Sequence, residues 1–258
     1  MRLSNLSALT NVNLIGLMGQ SNANGIPFDV DHIDDGKPYP LQHGRHIFEP
    51  VSRTWQILQR DVNNHGGPNA LTVGDGFGVE MRLMELLYNY YGTDQYMIKY
   101  ASGGVPIAED TGATYNWSPT SEDGFMFNSS VNNYWDAMNT FPANNINMKV
   151  VIWIQGESDG ELSIDAGAYQ SNFLKMAKEM MNQYNLPNLK FLNVLLGDKQ
   201  TNIAPYKDAI NQAKKNITIN GSRIVSADGL ATREGVHFTS DSYNTLAERI
   251  FEVLITML

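Results

Sequence analysis

Five short apolar runs, each followed by a loop rich in Gly, Ser, Asn or acidic residues, constrain this chain more than any other feature. They cover residues 12–18, 95–100, 148–154, 190–196 and 223–226. Each is apolar at nearly every position rather than at alternate ones, the pattern of a parallel strand covered on both faces. Stretches of helical period lie between them. Residues 78–91 set Met81, Met84, Leu87 and Tyr91 at three- and four-residue steps and stop at Gly92. Residues 165–184 line up Tyr169, Phe173, Met176, Met180 and Tyr184, and residues 242–258 line up Leu246, Ile250, Phe251 and Leu254. Such stripes are core faces. The alternation predicts an α/β fold: a three-layer α/β/α sandwich around a mostly parallel, flavodoxin-like central sheet.

The bulk properties narrow the function. The chain has 258 residues, 42% hydrophobic and 17% charged, a globular composition with enough length for a substantial core. Its 18 Lys and Arg against 27 Asp and Glu give a net charge of −9, which repels polyanions and argues against nucleic acid as a partner. With no cysteine, disulfides, thiolate catalysis and Cys-based metal sites are excluded. Near the N-terminus, Asn5, Thr10, Asn11 and Asn13 interrupt the apolar stretch, and residues 14–18 are too few for a signal peptide core. No run approaches the roughly 20 apolar residues of a membrane helix, so no membrane partner is expected. Location stays open, and an extracellular protein or a module of a larger surface or virion protein is compatible. Oligomeric state is not legible.

In open parallel sheets ligands bind beyond the carboxyl ends of the strands, so the residues after each strand are the test of function. After the first comes Gly19-Gln20-Ser21-Asn22, where a serine at a strand-to-loop turn is either an exposed nucleophile or an ordinary turn or capping residue. After the second, Gly103 and Gly104 either present amides to an anion or form a plain tight turn. After the third, Gln155, Glu157 and Asp159 follow Trp153, as site residues or as caps of the next helix. Past the last strand, Glu234 precedes His237 by three residues. At that spacing the acid can accept the imidazole Nδ1–H and leave Nε2 free to take a proton from a hydroxyl. His32, His43, His46 and His65 read as solvated or structural. Residues 25–75 and 110–147 show little periodicity and are expected to be loop insertions over the same sheet edge.

The order of these four loops resembles the SGNH hydrolase superfamily. Within it the chain is most similar to the carbohydrate acetyl esterases that include family 6 acetylxylan esterases and sialate O-acetylesterases. Residues 19–22 match the G-Q-S-N block, residues 153–159 match W-x-Q-G-E-x-D in full, and residues 234–238 match D-G-x-H-F except at the acid. The resemblance runs from about Asn13 to the C-terminal helix, leaves both insertions unmatched, and implies one esterase domain over 1–258. It implies Ser21 as nucleophile, His237 as base and Glu234 as the orienting acid where the family has Asp, with Asp228 as the alternative. It implies an oxyanion hole from the Ser21 N–H, the Gly103 or Gly104 N–H and the Gln155 side-chain amide, with Glu157 and Asp159 organising the loop beneath.

The implied reaction removes acetyl or other short acyl groups from carbohydrate hydroxyls through an acyl-enzyme, without metal or organic cofactor, on an acetylated carbohydrate. Tyr115, Trp117, Phe125, Phe127, Tyr134 and Trp135 favour sugar stacking over an acyl-chain tunnel. The alternatives are a thioesterase or lipase on the same scaffold, and a catalytically silent carbohydrate-binding domain. A metal-dependent hydrolase using Glu157, Asp159, Glu234 and His237 lacks ligand spacing of the H-E-x-x-H kind.

Overall fold

The computed structural model describes residues 12–25, 41–60, 62–64, 77–109, 113, 115–120, 124–141, 146–161, 163–203 and 206–258. In chain order the elements are β1 (Asn13–Gly19), α1 (Ser21–Asn24), β2 (Arg45–Glu49), β3 (Thr54–Ile57), α2 (Val79–Tyr91), β4 (Gln95–Ala101) and α3 (Phe125–Asn139). Then come β5 (Val150–Ile154), α4 (Ser163–Gln183), β6 (Lys190–Val194), α5 (Lys207–Lys215), β7 (Arg223–Val225), β8 (Thr232–Arg233), β9 (His237–Phe238) and α6 (Ser240–Leu254).

The sheet order is β3-β2-β4-β1-β5-β6-β7, with only the edge pair β2–β3 antiparallel. Its β4-β1-β5-β6-β7 portion is the flavodoxin-like order expected from the sequence. All of β1, β4 and β5 is buried, because the sheet divides the core in two. Leu14, Met18, Val151 and Trp153 face one layer with Tyr169, Phe173 and Met176 of α4. Ile15, Leu17, Val150 and Ile152 face the other with Leu83 and Leu87 of α2 and Leu246 and Ile250 of α6. At about 1.5–3 kcal/mol per fully buried large apolar side chain, a strand lined on both faces is among the strongest anchors in the fold.

Both stretches expected as loop insertions contain regular elements. The first contains β2 and β3, which extend the sheet at its edge. The second contains α3, whose Met126, Phe127, Tyr134 and Ala137 are buried. Its Asn and Ser residues masked the helical period, since they weaken intrinsic propensity without preventing a helix packed on a sheet. The strand order makes β1 the topological switch: its successor β4 lies on one side and β5 on the other. Chain leaving the carboxyl end of β1 therefore enters the crevice where ligands bind in sheets of this kind.

Candidate active site

Gly19 ends β1 at φ +144°, and a Cβ there would fall 1.9 Å from the Ile154 carbonyl oxygen. Only glycine permits that approach, after which Gln20 N–H donates to Ile154 O at 3.0 Å. The chain then turns into α1 and presents Ser21, 6% exposed. His237 arrives from the other end of the sequence. Its Nε2 lies 3.0 Å from Ser21 Oγ, and its Nδ1 is hydrogen-bonded to Glu234 Oε1. A carboxylate on Nδ1 selects the tautomer whose Nε2 accepts from the serine hydroxyl.

The acid reaches the ring through a tight reversal. Glu234 and Gly235 adopt φ +40° and +74°, Val236 N–H donates to Arg233 O at 3.0 Å, and β8 pairs antiparallel with β9. A Cβ on Gly235 would meet Thr201 Oγ1 at 2.6 Å, so the hairpin packs directly against the loop after β6. Asn202 secures it by donating its side-chain amide to Glu234 O and its N–H to Gly235 O at 3.0 Å. A non-glycine residue at positive φ carries strain on the order of 1–3 kcal/mol, and it occurs here at the residue that holds the histidine. Asp228, the alternative acid, is engaged elsewhere: it accepts from Asp198 N–H at 3.1 Å and from Ser226 Oγ at 2.9 Å.

Near the serine, Gly103 and Gly104 are exposed, and a Cβ on Gly103 would lie 3.8 Å from Ser21 Cβ. Among the described residues, the N–H groups of Ser21, Gly103 and Gly104 find no acceptor. Gln155 differs from expectation. It is fully buried, its amide nitrogen faces Asp159 Oδ2, Gln20 Oε1 at 3.2 Å and Val105 O at 3.3 Å, and its oxygen accepts from Tyr169 OH at 3.0 Å. Both amide hydrogens have internal acceptors, so Gln155 does not fit the part of a free oxyanion donor. Gln20, which sequence reasoning passed over, is held in the same network. Its Oε1 takes Gly156 N–H at 3.4 Å, Ser158 N–H at 3.3 Å and the Gln155 amide, which assigns oxygen and nitrogen unambiguously. Its Nε2 has no acceptor among the described residues.

Buried charges brace these loops. Asp159 accepts the N–H groups of Ile107 at 3.1 Å and Ala108 at 3.0 Å, joining the loop after β4 to the loop after β5. Burial pushes its carboxyl up to about 6, against the pull of those hydrogen bonds. Lys214 of α5 donates to Gln155 O and, at 2.6 Å, to Val194 O, and burial brings its ammonium down to about 8. Nothing in the local sequence marks α5 as a neighbour of the site; only the packing of α5 does.

Other expectations resolve individually. Trp117, Phe127 and Tyr134 are core residues rather than a sugar platform, and Trp117 Nε1 donates to Gly19 O at 3.2 Å from beneath. Tyr115 and Phe125 pack partly buried against that core, with ring centroids 4.7 Å apart. Trp135 is exposed, with Nε1 on Gln183 O at 3.0 Å. His46 is structural, stacked on Tyr96 and 3.0 Å from Asp94, while His43 is exposed. His32 and His65 lie outside the described residues. No helix among the described residues is long and apolar enough to cross a membrane.

Ser21, His237 and Glu234 thus form one hydrogen-bonded chain at the carboxyl edge of a mostly parallel sheet. Residues 11–256 match the family described as carbohydrate esterase, sialic acid-specific acetylesterase, and the chain belongs to that family. A probable carbohydrate esterase of Arabidopsis thaliana, At4g34215, is 28% identical over 96 residues, which cover 37% of this chain and 35% of that relative. The solved structure of that Arabidopsis protein aligns with a TM-score of 0.77 at 20% identity, covering 95% of this chain and 99% of the other. NanS aligns with a TM-score of 0.66 at 16% identity over 95% and 97% of the two chains. XAC1771, a carbohydrate acetylesterase from Xanthomonas citri, aligns with a TM-score of 0.59 at 16% identity over 95% of this chain and 56% of that one.

Proposed function

We propose that this chain is a serine esterase that removes acetyl groups from carbohydrate hydroxyls. The observation that carries the reading is the chain of hydrogen bonds from Ser21 Oγ through the His237 ring to Glu234. Family membership supports an acetylated carbohydrate as the substrate class.

Ser21 Oγ attacks the acetyl carbonyl carbon while His237 Nε2 takes the hydroxyl proton. Glu234 holds the ring in place and stabilises the imidazolium that forms. Charge developing on the carbonyl oxygen falls to the N–H groups of Ser21 and of Gly103 or Gly104, joined by Gln20 Nε2, with Gln155 holding Gln20 from behind. The C–O bond to the sugar breaks, the sugar oxygen leaves with the proton from Nε2, and an acetyl-Ser21 ester remains. Water, deprotonated by His237, then attacks that ester, releasing acetate and restoring the serine.

Acetate release from a panel of acetylated glycans and from a small chromogenic acetyl ester tests the reading, with Ser21→Ala as control. Turnover in the wild type that the variant abolishes is the expected result. A folded wild type that releases acetate from none of them would leave a binding domain as the better account.

A further inference from the structure

Two buried side chains, Gln200 and Asn22, hold the backbone on both sides of His237, and a third, Glu157, holds those two. The Val236 carbonyl accepts from Gln200 Nε2 at 2.9 Å and from Asn22 Nδ2 at 3.2 Å, and the Phe238 N–H donates to Asn22 Oδ1 at 3.2 Å. Both amides converge on one carboxylate, since Glu157 Oε1 accepts from Asn22 at 2.7 Å and from Gln200 at 3.3 Å. Gly197 N–H donates to Gln200 Oε1 at 2.8 Å, which fixes the nitrogen as the end that faces Val236. Asn22, Gln200 and Glu157 are 0%, 1% and 2% exposed. The network therefore joins the ends of β1, β5 and β6 to β9.

His237 needs such support. Its ring hangs from a two-residue strand in a two-stranded ribbon, and an isolated ribbon of that size does not hold itself in place. Proton transfer requires a heavy-atom separation of about 2.6–3.2 Å. A displacement of roughly 1 Å costs on the order of 10²-fold in rate.

We propose that Gln200 is a positioning residue for His237, which with Asn22 and Glu157 clamps the Val236 carbonyl and so keeps Nε2 on Ser21 Oγ. This rests on the reading of Ser21 and His237 as nucleophile and base. Asn22 makes the same clasp from the nucleophile side, but it adjoins Ser21, so Gln200 is the clean place to test it.

The experiment compares wild type, Gln200→Met, His237→Ala and the double variant on a small chromogenic acetyl ester. Gln200→Met should lower kcat about 10- to 100-fold with KM changed by less than about twofold. Covalent labelling of Ser21 by a phosphonate should slow by the same factor. In the His237→Ala background the substitution should leave the residual rate unchanged, because its effect passes through the imidazole. A folded Gln200→Met enzyme with full kcat overturns the inference, as does an equal loss in both backgrounds. Should the methionine variant not fold, Gln200→Asn keeps an amide but withdraws it by one methylene, and the same two comparisons apply. Wild type that is active, Ser21→Ala that is silent and Gln200→Met that is fully active would defeat this inference alone; inactive wild type would defeat the esterase reading beneath it.

Discussion

Lys99 Nζ lies 3.0 Å from a carboxylate oxygen of Glu80, both side chains fully buried, and it also donates to Asn24 O at 2.7 Å and Asn64 O at 2.6 Å. Asn24 is the last residue of the short helix that begins with Ser21, so this pair sits behind the proposed nucleophile. Burial lowers the Lys99 pKa against the attraction of Glu80. Lys99→Met removes one partner and leaves a buried carboxylate uncompensated, a loss of about 3–5 kcal/mol. Urea unfolding should show that loss, and adding Glu80→Leu to it should recover part of the stability. A single variant as stable as wild type would contradict this.

Glu234→Gln keeps the geometry but favours the wrong imidazole tautomer. A comparable change in a studied triad costs about 10⁴ in kcat. Asp228→Asn, which alters bonds to Asp198 and Ser226, should stay within a few-fold of wild type. Steady-state kinetics on the two variants side by side decide between them, and a crippled Asp228→Asn beside an active Glu234→Gln would reverse the assignment.

Gln20→Ala should lower kcat by roughly 10²–10³ with little change in KM, the signature of a donor that acts on the transition state. Gln155→Ala should also lose activity, but with lower thermal stability, because Asp159 and Tyr169 lose a buried partner. Stability separates the two roles. An unaffected Gln20→Ala would leave the hole to backbone donors.

Lys214 predicts a pH dependence of stability. Its folded pKa is about 8 against the ordinary lysine value of 10.5, so between those values the unfolded chain binds a proton that the folded chain does not. Stability from this group is therefore present above 10.5 and is lost as pH falls through 8, by an amount on the order of 3 kcal/mol. Asp159 acts in the acid range: with its folded pKa raised to about 6 from 3.8, its contribution is present below 3.8 and lost as pH rises through 6. Unfolding free energies from pH 8 to 10.5 should rise less steeply in Lys214→Met than in wild type, and parallel curves would refute the assignment.

The strands around the proposed nucleophile were legible because β1, β4 and β5 are buried on both faces, which forces continuous apolar runs. Helices α2, α4 and α6 were legible because each packs one stripe on the sheet. Strands β2 and β3, at one end of the sheet, were not: mostly half-buried and only four or five residues long, they carry too little apolar pattern. The aromatics of 115–135 misled because a tryptophan in a loop looks alike whether it faces a sugar or the core. Trp117 is buried because the loop after β4 folds inward under Gly19.

By itself the sequence determined the alternating α/β order, the carboxyl edge as the place to look for a site, and the proximity of Glu234 to His237, since each depends on neighbours within one strand, turn or helix. Only the tertiary structure decided that His237 meets Ser21 across 216 residues, that Gln155 faces inward and holds Gln20, and that Gln200, Lys214 and Lys99 brace the loops. Those outcomes depend on how separate strand ends converge. Hydrogen-bond partners buried between distant segments leave no periodic trace in any one of them.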